Sequence, residues 1–270
     1  MTSLFAALLG VIQGLTEFLP VSSSAHLILA RAFFGWETET FGLAFDVACH
    51  VGTLIAVVVF FRRDIAAMVA ALPGFFSSDP VPATRLARVI VIGTIPAVAV
   101  GLLFGDLIEA HLRTPGVAAV TLAAVAVAFF VVERAGAPRR HHGSLSIGEG
   151  LLVGVAQAAA LVPGVSRSGG TIVAAMGLGL RREEAARFTF LLGVPAILGA
   201  AVKEGAGLVR TGISAAEAQL FLIGMVSSAI VGYFTVKYFI RYLAGHSLAA
   251  FAWYRLLLAA AVVVWLLAAR

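Results

Sequence analysis

Long apolar runs separated by short polar segments dominate this chain. A helix needs roughly 20 apolar residues to cross a bilayer. Six runs are predicted as full spans on this ground, at residues 43–61, 86–105, 115–133, 184–203, 217–236 and 251–269. Hydrophobic residues make up 61% of the 270 positions and charged residues only 12%, about half of what soluble domains carry. Pattern and composition together predict an all-α polytopic membrane protein.

Two further apolar runs, residues 3–33 and 147–179, contain residues that interrupt a helix. The first holds Leu19-Pro20 followed by three serines, and the second holds Pro163-Gly164 followed by Gly169-Gly170. Proline removes a backbone donor and disfavours helix in the residue before it, while serine competes for backbone hydrogen bonds. Each run is therefore predicted to form a re-entrant hairpin of two half-helices, whose freed backbone groups need protein or water as partners.

The two broken runs resemble each other, and three spans follow each of them. We interpret this as an internal repeat, with residues 1–134 as the first copy, residues 147–270 as the second and residues 135–146 as a basic cytoplasmic linker. Because three crossings is an odd number, the second copy enters the membrane from the opposite face. Such an inverted repeat is typical of many transporters.

Positive charge is distributed unequally over the two faces of this topology. Of the 19 Lys and Arg residues, 13 fall on one side, Arg139 and Arg255 among them, five fall on the other, including Arg31, Arg113 and Arg270, and Arg167 lies inside the second hairpin. The richer side is predicted to be cytoplasmic, which places both termini outside. The net charge of +5 lies in short loops, which argues against nucleic acid as a partner. Cys49 is the single cysteine, so no disulfide forms within the chain.

The first hairpin carries a carboxylate and a histidine in an apolar setting. Gln13 and Glu17 are four residues apart and share one helix face, and Ser22, Ser23 and His26 follow. An ionisable residue in an apolar segment costs a few kcal/mol or more unless it is paired, so Glu17 and His26 are candidate functional residues. One serine is a candidate nucleophile if either lies within reach, and capping of the second half-helix is the alternative for these hydroxyls.

The second hairpin carries Arg167 beside Ser166, Ser168, Gly169 and Thr171. A guanidinium offers a planar fork of donors that suits phosphate oxygens. Backbone N–H groups at the start of the new half-helix would add donors and a favourable dipole. These residues are predicted to form a phosphate cradle. The alternatives are a structural ion pair with the first hairpin or a glycine-rich packing surface.

A few other polar or small residues in the apolar runs are interpreted structurally. His50 is predicted to be a packed histidine, and Glu183 and Glu184 to form a solvated start of a helix. Gly150 and Gly154 are predicted to allow close helix packing.

At these motifs the chain resembles a known family over nearly its whole length. The stretches Gln13 to His26, Pro163 to Thr171 and Glu183 to Phe188 resemble the bacterial undecaprenyl-pyrophosphate phosphatases, also called bacitracin-resistance proteins. That family has Glu or Gln, three residues and Glu in its first motif, and Pro-Gly-x-Ser-Arg-Ser-x-x-Thr in its second. The three motifs of the type 2 phosphatidic-acid phosphatases, which act on the same lipid, are absent here.

The resemblance implies a plasma-membrane enzyme that hydrolyses undecaprenyl pyrophosphate to undecaprenyl phosphate and inorganic phosphate. Its active site would open to the outer face. The enzyme would recycle the cell-wall carrier lipid and give resistance to bacitracin. Carried over to matching positions, it assigns Gln13 and Glu17 to the acidic motif, Ser23 and His26 to the same hairpin, and Ser166, Arg167 and Thr171 to phosphate binding.

Several alternatives stay open at the level of sequence. Gln13 in place of a second carboxylate puts a two-carboxylate metal site in doubt, so Glu17 is a candidate ligand for Mg²⁺ or Ca²⁺ and no cofactor is certain. Either Ser23 or a water would attack phosphorus, with His26 as base or as phosphoryl acceptor. The sequence leaves the oligomeric state open, with a homodimer as one alternative. A polyprenyl-phosphate transporter on the same repeat is the alternative function, and a structural role is a third class.

Overall fold

The computed structural model describes residues 2–34, 42–135, 140–211 and 213–268. The helices of this part of the chain are α1 (Thr2–Thr16), α2 (Ser23–Phe34), α3 (Leu43–Phe60), α4 (Arg62–Ala70), α5 (Pro82–Leu112), α6 (Pro115–Arg134), α7 (Ile147–Ala159), α8 (Arg167–Gly177), α9 (Arg182–Thr211), α10 (Ala215–Leu243) and α11 (Ala249–Ala268). Two 3₁₀ turns, Leu72–Gly74 and His142–Ser144, lie in the connections.

Each of the six predicted spans falls on one helix. Among the described residues, α5, α6, α9, α10 and α11 are long and apolar enough to cross a membrane by themselves. The sixth is α3, which is followed after one residue by α4 at an angle of 78°. The prediction of an all-α polytopic membrane protein is therefore confirmed.

The turn between α3 and α4 was not predicted from sequence. The chain bends at Phe61, which is fully buried and ends the apolar segment. The next residues are Arg62, Arg63 and Asp64, and the described side chains of α4 include no buried one. Ile65 and Met68 of α4 pack against the core while its two arginines are exposed, and such an amphipathic helix after an apolar span is expected to lie along the membrane surface.

The two interrupted runs each split into two helices, as predicted. The first run forms α1 and α2 with a break at residues 17–22, and the second forms α7 and α8 with a break at residues 160–166. The serines Ser23 and Ser24 and the pair Gly169-Gly170, which were expected to interrupt helices, lie inside α2 and α8 instead. The interruption ends earlier because Ser22 and Ser166 each cap the helix that follows.

Packing between the helices is reciprocal. The first helix of each hairpin lies against the middle span of the other half: α1 packs on α10, and α7 packs on α5. The equivalent spans α3 and α9 pack together, and so do α6 and α11. An inverted repeat predicts such an exchange of partners, although the exact borders of the two copies stay a prediction.

Small residues allow the α5–α7 and α1–α10 pairs to approach closely. A Cβ atom on Gly154 would lie 2.1 Å from the carbonyl oxygen of Gly93, and one on Gly14 would lie 2.8 Å from that of Ser228. Both distances are below any van der Waals contact. The predicted packing role of Gly150 and Gly154 is thus confirmed, and Gly150 meets Val89 in the same way.

Several charged side chains form ion pairs away from the two helix breaks. Arg31 and Arg113, both assigned to the outer side, pair with the same Asp46. Arg182 pairs with Glu133 among residues of the other side. Arg255 had been counted with the cytoplasmic loop charges, and this was wrong: it is fully buried within the bundle. Two other counted charges, Arg139 and Arg270, lie outside the described residues.

The end of the linker is clamped to the start of α9. Glu184 accepts hydrogen bonds from the backbone N–H of His142 at 3.1 Å and from its Nδ1, and His141 Nε2 lies 3.1 Å from the same oxygen. Burial lowers the pKa of His142. Glu184 is 6% exposed, so its interpretation as a solvated residue was wrong. Because nitrogen donors already engage this carboxylate oxygen, the group is a structural clamp.

Candidate active site

Both hairpin breaks are built with the same backbone device. Ser22 and Ser166 each have φ of 75°, and they are the described non-glycine residues in the left-handed region. Such a conformation costs a side-chain-bearing residue about 1–3 kcal/mol and persists where surrounding contacts hold it. The Ser166 hydroxyl accepts from the Gly169 N–H at 3.0 Å, and the Ser22 hydroxyl accepts from the Ala25 N–H at 3.4 Å. In each break, one serine with a strained backbone thus precedes and caps the helix that follows.

The two breaks are in direct contact, because residues of both converge on the Glu17 carboxylate. Gln13 Nε2 and Ser23 Oγ donate to Oε2 of Glu17, each at 2.7 Å. Arg167 Nη2, from the other hairpin, donates to Oε1. Glu17 is 5% exposed and Gln13 is fully buried. The carboxylate is therefore the point at which a hydroxyl and a guanidinium from opposite hairpins meet.

Arg167 is the first residue of α8, so its guanidinium stands at the beginning of that half-helix. Its second contact is a hydrogen bond from Nη1 to the carbonyl oxygen of Gly193 at 3.4 Å. The side chain is 21% exposed, whereas the Glu17 side chain is 3% exposed. Part of the Arg167 side chain is therefore accessible, while its carboxylate partner is buried.

A small cavity adjoins this ion pair. It is lined by Glu17, Arg167, Ser168, Thr189 and apolar side chains, and its volume is about 10 Å³, room for about one water. The buried hydroxyl of Thr189 has no hydrogen-bond partner among the described residues. This hydroxyl is therefore available to a water or to a bound group in the cavity. The cavity is too small for a diphosphate as long as Arg167 stays on Glu17.

The remaining predicted phosphate-binding residues stabilise the second break. Ser168 Oγ donates to the carbonyl oxygen of Leu19 at 3.2 Å, a direct bond between the two hairpins. Thr171 Oγ1 donates to the carbonyl oxygen of Arg167 at 2.6 Å. The N–H of Gly169 is engaged by Ser166. These groups surround Arg167 but use their hydrogen bonds within the protein.

His26 lies in the first hairpin but is engaged elsewhere. Its Nδ1 bonds the carbonyl oxygen of Ser22 at 2.7 Å, and its Nε2 lies 2.6 Å from the hydroxyl of Tyr254. Since a carbonyl oxygen only accepts, Nδ1 carries the proton and Nε2 accepts from Tyr254. Both ring nitrogens are thus used away from Glu17 and Ser23.

His50 was expected to be a packed histidine, yet it faces the carboxylate. Its Nε2 lies 3.4 Å from Glu17 Oε2, and its Nδ1 bonds the carbonyl oxygen of Asp46 at 2.7 Å. The bond to a carbonyl requires the proton on Nδ1, which leaves the lone pair of neutral His50 on Nε2, facing Glu17. A histidine within an apolar span was the one sequence signal that could have identified it.

The fold and the site define a class: a polytopic helical membrane protein with a carboxylate–guanidinium pair buried where two broken hairpins meet. A family model described as bacitracin resistance protein BacA matches residues 6–261. The chain belongs to this family.

Relatives of similar length carry one name. An undecaprenyl-diphosphatase of Rubrobacter xylanophilus is 47% identical over 265 residues, 97% of this chain and 97% of that protein. Another, of Geobacter metallireducens, is 44% identical over 268 residues, 98% of this chain and 99% of that protein. A third, of Thermomicrobium roseum, is 42% identical over 263 residues, 94% of each.

Proposed function

We propose that this protein is an undecaprenyl-diphosphatase whose chemistry takes place where the two hairpin breaks meet. It hydrolyses undecaprenyl pyrophosphate to undecaprenyl phosphate and inorganic phosphate. The observation that carries the assignment of the site is the convergence of Ser23 and Arg167, from opposite hairpins, on the two oxygens of Glu17. A candidate nucleophile, Ser23, and a candidate anion-binding group, Arg167, thus both contact the candidate base, Glu17.

Substrate binding exchanges the partner of Arg167. Its guanidinium leaves Glu17 and donates two parallel bonds to oxygens of the terminal phosphate, the arrangement that its fork geometry favours. Thr189, with its free hydroxyl beside the cavity, adds a donor. Glu17 keeps Gln13 and Ser23 as donors, so its charge is not left without partners.

Ser23 attacks the terminal phosphorus while its proton passes to Glu17. A bond forms between Ser23 Oγ and phosphorus, the bond from phosphorus to the bridging oxygen breaks, and undecaprenyl phosphate leaves. Water then cleaves the phosphoserine and releases inorganic phosphate, which regenerates the serine. Arg167 offsets the charge on the transferring group. The Nε2 lone pair of His50 lies where it can accept the proton that Glu17 takes up.

His26 has a positioning role in this proposal. Its bond to the Ser22 carbonyl holds the strained residue directly before Ser23. The Tyr254 hydroxyl fixes the ring from the other side.

A divalent cation, Mg²⁺ or Ca²⁺, could be held beside the Glu17 carboxylate if the Gln13 amide turned its oxygen toward it in place of the donating Nε2. Gln13 Oε1 is buried and has no hydrogen-bond partner among the described residues. Carbonyl and carboxylate oxygens are the ligands that these hard cations take. Glu17 and Gln13 would hold the ion, which would supply positive charge to neutralise diphosphate oxygens.

The isoprenoid part of the substrate is proposed to occupy a groove beside the second break. This groove, about 330 Å³ in volume, lies between α5 and α9 and is lined mostly by apolar residues, with Leu161 and Pro163 of the second break and the carboxylates Asp106 and Glu109 also in its lining. Arg113 and Lys203 line it as well. Both belong to the side that the charge distribution predicts to be outside. The active site is accordingly proposed to open to the outer face.

The test is phosphate release by purified protein from a polyprenyl pyrophosphate in detergent. Wild type is expected to release phosphate, and Glu17→Ala, Arg167→Ala and Ser23→Ala to lose most of the rate. With a terminal ³²P label and an acid quench, a phosphorylated peptide containing Ser23 should be trapped in wild type. Ser214→Ala, an exposed serine that caps α10, is the matched control.

Two results would overturn parts of this proposal. Near wild-type rates of phosphate release in Glu17→Ala and Arg167→Ala would show that the active site does not lie at the junction of the hairpins. Unchanged turnover in Ser23→Ala would assign the attack to water. A protein that moved lipid phosphate between leaflets without releasing phosphate would be the transporter, for which no feature of the site offers specific support.

A further inference from the structure

Arg255 is a fully buried arginine that carries no counter-ion. It is the largest of the fully buried side chains among the described residues, with 0% exposure. Among the described residues no carboxylate lies within ion-pair distance of it. An arginine stays charged in proteins, and a charge buried without partners is costly. The groups around the guanidinium must therefore compensate it in another way.

Backbone carbonyl oxygens supply this compensation. Nη1 donates to the oxygen of Pro20 at 3.1 Å, and Nη2 donates to those of Gly164 at 2.7 Å and Val165 at 3.2 Å. The α6 oxygens of Leu122 and Thr121 also accept, at 3.2 and 3.3 Å.

The identity of these acceptors indicates what the residue does. Pro20 lies in the first break, and Gly164 and Val165 lie in the second. Carbonyl groups at a break lack their helical partners, so each needs a donor from elsewhere. One rigid guanidinium fills that need in both breaks at once. A side chain that only attached α11 to α6 would need neither contact.

The bridged carbonyls stand next to the reacting groups. Pro20 lies midway between Glu17 and Ser23, and Gly164 lies three residues before Arg167. The preceding residue of α11, Tyr254, bonds His26. Helix α11 thus contacts both hairpins through two neighbouring side chains, although it contributes none of the groups that converge on Glu17.

We propose that Arg255 is a positioning residue that sets the separation of the two hairpin breaks and hence of Ser23 and Glu17 from Arg167. The proposal rests on the function assigned above. Without the guanidinium, five carbonyl oxygens lose a donor and the breaks lose a rigid link. Displacement of reacting groups by about 1 Å can cost about 100-fold in rate.

The experiment compares Arg255→Met and Arg255→Lys with wild type in the same detergent. Arg255→Met is expected to lower kcat by about 100-fold, with a much smaller change in KM because Arg167 is still present. Arg255→Lys keeps the charge but cannot span both breaks with one ammonium, so it should recover only part of the rate. The matched control is Arg88→Met, since Arg88 also donates to backbone carbonyls, of Phe75 and Ser77, in a loop remote from the site.

Hydrogen–deuterium exchange gives a readout that does not need turnover. Exchange should rise in Arg255→Met in peptides of both breaks, residues 17–26 and 160–170, and stay unchanged there in Arg88→Met. Wild-type kcat in folded Arg255→Met, or exchange that rises along α6 and α11 alone, would overturn the proposal. If Arg255→Met cannot be extracted, Arg255→Lys decides by the same criteria. Absence of phosphate release from wild type would instead refute the assigned function and leave the exchange result valid.

Discussion

Glu17→Gln should separate substrate binding from catalysis, because in the proposed mechanism Glu17 acts as a base and also competes with the substrate for Arg167. The variant keeps the size of the side chain and an oxygen that can accept from Arg167. It loses the negative charge, and with it the capacity to take the proton of Ser23. We therefore expect a protein that binds a diphosphate more tightly than wild type and hardly turns it over.

The magnitudes follow from the contacts of the carboxylate. Removing one member of a buried ion pair leaves the other poorly compensated, at a cost of about 3–5 kcal/mol. The amide oxygen of glutamine retains part of the Arg167 contact, so we take about 1.4 kcal/mol of this cost as regained when a phosphate binds. That amount corresponds to about tenfold tighter binding. Loss of a general base lowers kcat by about 10² to 10⁴-fold.

The assay pairs calorimetry with phosphate release. Affinity is measured with a polyprenyl diphosphonate whose bridging oxygen is replaced by CH₂, and turnover with the natural diphosphate. Glu217→Gln, which removes an exposed carboxylate at the start of α10, is the control and should change neither quantity. Weaker binding by Glu17→Gln would refute the competition argument. If EDTA abolished the difference in affinity between Glu17→Gln and wild type, Glu17 would instead bind the substrate through a cation.

Three further predictions address other parts of the molecule. Gln13→Glu should raise the affinity for Mg²⁺ or Ca²⁺ in calorimetry without substrate, because it adds a second carboxylate beside Glu17. Gly154→Ala should lower the unfolding temperature, because its Cβ would lie 2.1 Å from the Gly93 oxygen and such overpacking costs about 1–3 kcal/mol of stability. Gly148→Ala, whose Cβ would meet nothing within 4 Å, should leave the unfolding temperature unchanged. As pH falls through about 6.5, the buried His142, whose pKa is lowered, binds protons less readily than in the unfolded chain. The unfolding temperature should then fall, and less so in His142→Gln.

The membrane makes much of this fold predictable from sequence. A span needs a fixed length of apolar residues, so the six runs locate six helices. Pro20 and Pro163 reveal the two breaks because proline disrupts the helical hydrogen-bond pattern. The bend at Phe61 escaped prediction, since neither proline nor glycine stands there and the change from apolar to charged residues gives no angle.

The site residues that stand at the two helix breaks could also be predicted. Glu17, Ser23 and Arg167 stand out as polar groups at broken apolar segments. His50 and Arg255 come from intact spans, and their approach to the breaks depends on how distant helices pack. Each nevertheless offered one signal, an ionisable side chain within an apolar run, and Arg255 was misassigned because its position near one end of the span suggested a loop charge.

The two arginines at the junction, the partly exposed Arg167 and the buried Arg255, differ in how they are compensated, which indicates which of them is free to bind a substrate. Arg255 is compensated by five backbone oxygens, and these would all lose their donor if it moved. Arg167 is compensated mainly by Glu17, which has other donors in Gln13 and Ser23 and can release it at smaller cost. In the proposed mechanism an incoming diphosphate is therefore expected to displace the carboxylate from Arg167 and to leave Arg255 in place. Binding would then exchange one ionic partner while the geometry of both breaks is retained, which is what in-line attack by Ser23 requires.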